Sequence, residues 1–285
     1  MELLEREAVV DGVRLRYLER AAVGGDDQPA LLFLHGLVAS ADTFAALIAE
    51  MPTAHRVIAV DLPGKELAGR EVAADFGLAA LAAMVQELVR MTGLNRPVVV
   101  GHSHGGAVAL QMAVMFPKSI LGLVLMCPAH PYLMRERRLV GFYNTRAGGL
   151  VARSFRYLPK PLQGIGFRRV MGPRGRAAKV DFMPYRISLN DVVTVKAVLR
   201  LIKTWNADMD ALGRQLEAAP VGLPTLFLWG DTDYVVPIGT APLLQQHFKR
   251  WEQLTLLDVG HLPNDEAPEE CGSAIRTWLA KRDRG

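Results

Sequence analysis

The stretch VVVGHSHGGAVAL (98–110) decides how this chain is read. Three β-branched residues run into a glycine, and a helix-forming run opens directly after the serine, which leaves no room for a loop. Ser103 is therefore placed at a sharp strand-to-helix turn, with its hydroxyl projecting from the end of a sheet. Gly101 and Gly105 allow the backbone to turn tightly, and the amino end of the new helix directs unpaired N–H groups toward developing negative charge. With 6 Ser and 26 Gly in 285 residues, chance placement gives roughly 0.05 such Gly-x-Ser-x-Gly pentapeptides.

A serine hydroxyl is a weak nucleophile until a histidine takes its proton, and that histidine needs a carboxylate to orient it. Two later apolar runs are followed by loops with suitable groups. TLFLW (225–229) leads into GDTDYVVP (230–237), which offers Asp231 and Asp233. QLTLLDV (253–259) leads into GHLPNDEAPEE (260–270), which offers His261.

The His102-x-His104 pair raises a competing metal reading. Such a site needs at least three ligands, yet no Asp-His follows the pair and the sequence shows no second cluster of His or Cys. Cys127 and Cys271 lie far apart without metal spacing, which suits inert buried thiols in a reducing compartment. Neither a metal nor a cofactor is expected.

Half of the 285 residues are hydrophobic, enough for one α/β core with an insertion. The amino terminus, MELLEREAVV, lacks the basic start and apolar run of a secretion signal, and no apolar stretch is long enough to cross a bilayer. The expectation is a cytoplasmic protein, monomeric or homodimeric.

Short Val, Leu and Ile runs alternate with helical patterns, as in a largely parallel sheet covered by helices. VRLRYL (13–18) reads as an antiparallel edge strand; LLFL (31–34), VIAV (57–60), VVV (98–100), ILGLVLM (120–126), TLFLW and QLTLLDV read as core strands. Helices are expected over 76–91 and from His104 to Pro117. After Met126 the strand rhythm fails for about a hundred residues, too long for a structureless gap. An inserted helical unit is expected there, with SLNDVVTVKAVLRLIKTW (188–205) as its clearest amphipathic helix.

Taken in order, these markers resemble the α/β-hydrolase family, in its capped, esterase- and lipase-like branch, over nearly the whole chain. His35-Gly36 follows the LLFL strand, DLPG (61–64) follows VIAV, the Gly-His-Ser-His-Gly turn follows VVV, and Gly230-x-x-Asp233 and Gly260-His261 form the late loops. The tail GHLPNDEAPEE is similar to the family's Gly-His-x-x-x-x-Glu-x-Pro-Glu. The resemblance implies a mostly parallel eight-stranded sheet flanked by helices, a core of 1–128 and 221–285, and a helical cap over 129–220. It implies Ser103 as nucleophile, His261 as general base and then acid, and Asp233 rather than Asp231 as the orienting carboxylate. The loop CPAH (127–130), where some relatives carry the acid, holds no carboxylate. The resemblance also implies that the backbone N–H groups of Leu37 and His104 form the oxyanion hole, and that His35 organises its loop. One departure stands out: family members usually continue Asp-x-Pro-Gly with x-Gly-x-Ser, whereas DLPG is followed here by KELAGR (65–70).

Charge is unevenly spread. Residues 131–200 hold 15 Lys and Arg against 3 Asp and Glu, while the rest holds 18 against 26. Bulky residues there (Phe142, Tyr143, Phe155, Tyr157, Phe167) are interleaved with arginines. Two readings fit: a lid with a weak peripheral contact to a membrane or other anionic surface, or a solvated outer face above an apolar face lining a pocket. No nucleic-acid module accompanies the basic stretch.

The expected activity is hydrolysis of a small-molecule carboxylic ester with an apolar group, through an acyl-enzyme on Ser103. Two alternatives compete: a carbon–carbon bond hydrolase with the same triad, and a receptor that keeps the fold for ligand binding. Haloalkane dehalogenases and epoxide hydrolases of this fold are disfavoured because they carry aspartate where this chain has Ser103.

Overall fold

The computed structural model describes residues 2–25, 27–63, 77–159, 162–164, 170–173 and 180–282. The strands are β1 (Leu4–Val10), β2 (Val13–Arg20), β3 (Leu31–Leu34), β4 (Val57–Val60), β5 (Val98–His102), β6 (Gly122–Met126), β7 (Thr225–Gly230) and β8 (Trp251–Leu256). They form one eight-stranded sheet in the order β1-β2-β4-β3-β5-β6-β7-β8. β1 and β2 pair antiparallel, as do β2 and β4; every later pairing is parallel.

The short core strands are apolar throughout because helices cover both faces of the sheet. Along β3 to β7, alternate residues enter opposite cores: Leu32, Leu34, Val99, Leu125 and Phe227 on one face, and Leu31, Phe33, Val100, Val124 and Leu228 on the other. The first face lies under α2 (Leu78–Met91) and α3 (His104–Met115), and the second under α1 (Ala45–Ala49).

Between β6 and β7 come α4 (Met134–Tyr143), α5 (Arg146–Ser154), α6 (Met183–Asn190) and α7 (Val192–Ala218) among the described residues. α7 is long because its two halves have different jobs. Trp205, Met209, Leu212 and Leu216 are buried in the main core, while its first turns lie over the carboxyl ends of the strands. After β7 follow α8 (Ala241–Gln245), and after β8 come α9 (Pro263–Glu266) and α10 (Pro268–Ala280).

Three expectations are corrected. β2 is not the edge strand, because β1 pairs with it along its whole length; β1 is mostly exposed, and its first half, LERE, carries three charges. The amphipathic stretch 188–205 is not one helix. It breaks at Asp191, whose extended backbone (ψ 124°) and carboxylate, accepting the Thr194 N–H at 2.6 Å, start α7 afresh. β8 begins at Trp251 and ends at Leu256, two residues ahead of the expected run at its start and three at its end. The first residue of the expected helix 76–91 and the loop 65–70 lie outside the described residues.

Candidate active site

β5 passes into α3 through one residue. Ser103 adopts φ 51° and ψ −115°, a left-handed region that few non-glycine residues occupy. Its N–H donates to the Met126 carbonyl at 3.0 Å, and its own carbonyl accepts from Ala107 and Ala129 at 3.2 and 3.0 Å, so the neighbouring strand holds the strained turn in place. Glycine is required beside it: a Cβ on Gly105 would lie 2.1 Å from the Leu34 oxygen, and one on Gly101 would lie 2.6 Å from the Gly105 oxygen.

The Ser103 hydroxyl meets His261 Nε2 at 2.9 Å, and His261 Nδ1 meets the Asp233 carboxylate at 2.8 Å. The second Asp233 oxygen accepts the backbone N–H groups of Val235 and Val236 at 2.8 and 2.9 Å. Burial pushes the Asp233 carboxyl upward, but its contact with the His261 ring and the Val236 N–H outweigh this and hold it below the ordinary aspartate value. Asp231 does not reach His261; it is exposed and accepts the Val259 N–H at 3.4 Å.

The backbone of His261 is tied down from three sides. Its N–H donates to the Val170 carbonyl at 2.8 Å, in the segment between β6 and β7. The His102 ring donates from Nε2 to the His261 carbonyl at 2.7 Å. That ring is kept neutral, its pKa pushed down to about 3 by burial and by the neighbouring His261 ring, so the carbonyl fixes its proton on Nε2. Third, the Glu266 carboxylate accepts from Gly260, Leu262 and Gly172. The parts played by Glu266 and His102 were not legible beforehand. Glu266 stands at a fixed place in the GHLPNDE stretch, but the sequence does not say which N–H groups it receives.

On the other side of Ser103, the N–H groups of His104 and Leu37 make no backbone hydrogen bond among the described residues. His104 begins α3, and Leu37 follows β3 on the loop that His35 secures: its Nδ1 donates to the Gly36 carbonyl at 2.8 Å, while its Nε2 accepts the Leu62 N–H at 2.9 Å. A cavity of about 30 Å³ opens here, bordered by His35, Leu37 and His104 below and by Thr194, Val198 and Leu201 of α7 above. The His104 ring faces Trp205 with centroids 5.6 Å apart, and burial lowers its pKa to about 3. Phe142 and Tyr157, expected on either face of a lid, are exposed to solvent. Tyr143 and Phe155 are partly buried, and Phe167 lies outside the described residues.

Cys127, Asp233 and His261 place possible ligand atoms within 4.8 Å of one another. The hydrogen-bond pattern turns these groups to other work. Both ring nitrogens of His261 are engaged, and burial, then the Asp233 charge, raises the Cys127 thiol well above its ordinary value, away from the thiolate that binds metals.

The family model for the alpha/beta hydrolase fold matches residues 29–268. The chain belongs to the α/β hydrolase fold family. Among related proteins, the chain is 29% identical to the dihydrolipoyllysine-residue acetyltransferase component of the acetoin cleaving system of Cupriavidus necator over 95% of this chain and 68% of that protein. It is 26% identical to Lipase 1 of Psychrobacter immobilis, over 95% of this chain and 82% of the lipase. The crystal structure of a membrane phospholipase A superposes with a TM-score of 0.77 at 24% identity, covering 99% of this chain and 87% of that one, a likeness of fold. Among the described residues of this chain no helix is long and apolar enough to cross a membrane.

Proposed function

We propose that this α/β hydrolase cleaves carboxylic esters through an acyl-enzyme on Ser103. The observation that carries this reading is the unbroken line from the Ser103 hydroxyl to His261 at 2.9 Å and on to Asp233 at 2.8 Å. The lipase among its relatives supports it.

In the first half-reaction the Ser103 Oγ–H proton passes to His261 Nε2 while Oγ bonds to the ester carbon. The carbonyl oxygen becomes an oxyanion held by the N–H groups of Leu37 and His104; loss of one such donor typically costs about 3 kcal/mol. The carbon–oxygen bond to the alcohol then breaks, and His261 returns its proton to the leaving oxygen. In the second half-reaction water gives a proton to His261 and attacks the acyl carbon; the bond to Ser103 Oγ then breaks, His261 returns the proton to Oγ, and the acid leaves. Asp233 stays ionised throughout and steadies the imidazolium.

A serine nucleophile also argues against epoxide or haloalkane substrates. Attack at an alkyl carbon would leave an ether on Ser103, with no carbonyl for water to attack, whereas an acyl ester can be hydrolysed. The partner is a small ester with an apolar group.

The test is turnover of p-nitrophenyl esters of increasing chain length, beside Ser103→Ala and labelling by a fluorophosphonate. Turnover and labelling that both vanish in Ser103→Ala support the reading. Failure of every ester together with absence of labelling on the native protein defeats it.

A further inference from the structure

We infer that the outer face of α5, with the turn that follows it and the start of α7, is a docking surface for an anionic lipid membrane. α5 is dressed inside out. Its one buried residue is Gly148, so close to the preceding helix that a Cβ would lie 2.1 Å from the Phe142 oxygen, while Leu150 and Val151 face solvent at 69% and 50% exposure. A helix normally hides its apolar stripe against the core; here the glycine lies inside and the leucine outside.

The exposed apolar surface is continuous. Leu150, Tyr157, Val192 and Val195 line a groove of about 280 Å³, and Arg153 and Arg156 border it. Tyr157 is 73% exposed, with the Arg156 guanidinium 4.6 Å from its ring centroid. Neither Arg153 nor Arg156 pairs with a carboxylate among the described residues. Apolar side chains flanked by arginines on long stems match the layered chemistry of an anionic bilayer surface, where acyl chains lie beneath phosphates. The surrounding segment has the sign that such a surface attracts, with 15 basic against 3 acidic residues over 131–200. An acidic protein partner would meet the charge but would leave the leucine and tyrosine without an apolar counterpart.

This face also lies one helix away from the site. α7 turns Val192 and Val195 outward to the groove and, at helical spacing, Thr194, Val198 and Leu201 inward to the cavity beside His104. α7 therefore borders both the proposed membrane face and the cavity beside His104.

The experiment is co-sedimentation of Ser103→Ala protein with vesicles of phosphatidylcholine alone or mixed with phosphatidylglycerol, so that no lipid is consumed and binding is read apart from ester cleavage. Binding is expected on the mixed vesicles and to weaken on added salt. The partition should fall about tenfold or more in Arg153→Glu/Arg156→Glu and in Leu150→Asp. On the Ser103 background, those same variants should keep native turnover of a soluble short-chain ester, which also reports that they fold. A tryptophan in the variant Tyr157→Trp should shift its emission to the blue on the mixed vesicles. Equal binding to both vesicle types, undiminished binding by the variants, or no binding with no emission shift overturns the inference. Retention of an acidic protein in place of mixed vesicles overturns it as well.

Discussion

The carboxylate of Glu266 accepts the backbone N–H groups of Gly260 and Leu262, each at 3.0 Å, and so brackets His261 between two fixed neighbours. The same carboxylate reaches Gly172 at 2.8 Å, in the segment between β6 and β7. One buried side chain thus ties the histidine loop to the polypeptide above it.

Glu266→Gln keeps the shape but turns an amide NH2 toward N–H groups that need an acceptor, leaving buried donors unpaired at a typical cost of about 1–3 kcal/mol. Ester turnover should fall about tenfold or more through kcat, with KM little changed, because Glu266 positions His261 without touching substrate. Steady-state kinetics beside thermal melts check this. A loss confined to KM would mean that Glu266 does not act through His261.

Asp233→Asn should lower kcat by about 10³–10⁴ while the fold survives, since the amide can still accept the Val235 and Val236 N–H groups but no longer favours the productive tautomer of His261. Asp231→Asn should leave kcat within about twofold, since an exposed group at the turn takes no part in the proton path. The two variants measured side by side separate the roles of the neighbouring carboxylates.

Three buried histidines predict acid lability. Burial lowers His102, His104 and His130 to about 3 from the ordinary 6.5. Between those two values the unfolded chain binds protons that the native state refuses, so stability present at neutral pH is lost as pH falls, by about 1.4 kcal/mol per pH unit for each histidine. Urea unfolding measured from pH 7 to pH 4 should show this decline. His130→Phe, which leaves the other two in place, should lessen the decline by about 1.4 kcal/mol per pH unit.

The cavity roof predicts chain-length control. Leu201 is buried and closes the space above His104 and Leu37. Leu201→Ala should shift the preferred p-nitrophenyl ester to a longer acyl chain and lower the melting temperature, since a buried Leu→Ala typically costs about 2–5 kcal/mol. An unchanged profile across the ester series would place the acyl group elsewhere.

The central strands and the serine turn were legible because each is a local event. LLFL and VIAV are strands to the residue, since apolar runs bounded by loops leave a parallel, doubly covered sheet little alternative. The sequence offers Ser103, His261 and Asp233 as candidates, and the fold brings all three into hydrogen-bond range. β1 was not legible, because charged residues interrupt its apolar ones and its pairing with β2 is what makes it a strand. The break at Asp191 was hidden because an apolar stripe at helical spacing continues across it, and the capping hydrogen bond competes with the helix at one residue only. His102 stayed ambiguous for another reason: its partner is a carbonyl 159 residues away, a distance in sequence that no local pattern encodes.

The serine turn and its histidine are separated by 158 residues, and the whole segment between β6 and β7 intervenes. A chain made from its amino end can build β5, the Ser103 turn and α3 from contiguous sequence long before His261 leaves the ribosome. Until β8 pairs with β7, the loop that carries His261 has no strand to hold it beside Ser103, so under the proposed mechanism a half-made chain has the strained turn without its base. The proposed site is therefore completed late, by the strand that pairs last in sequence order.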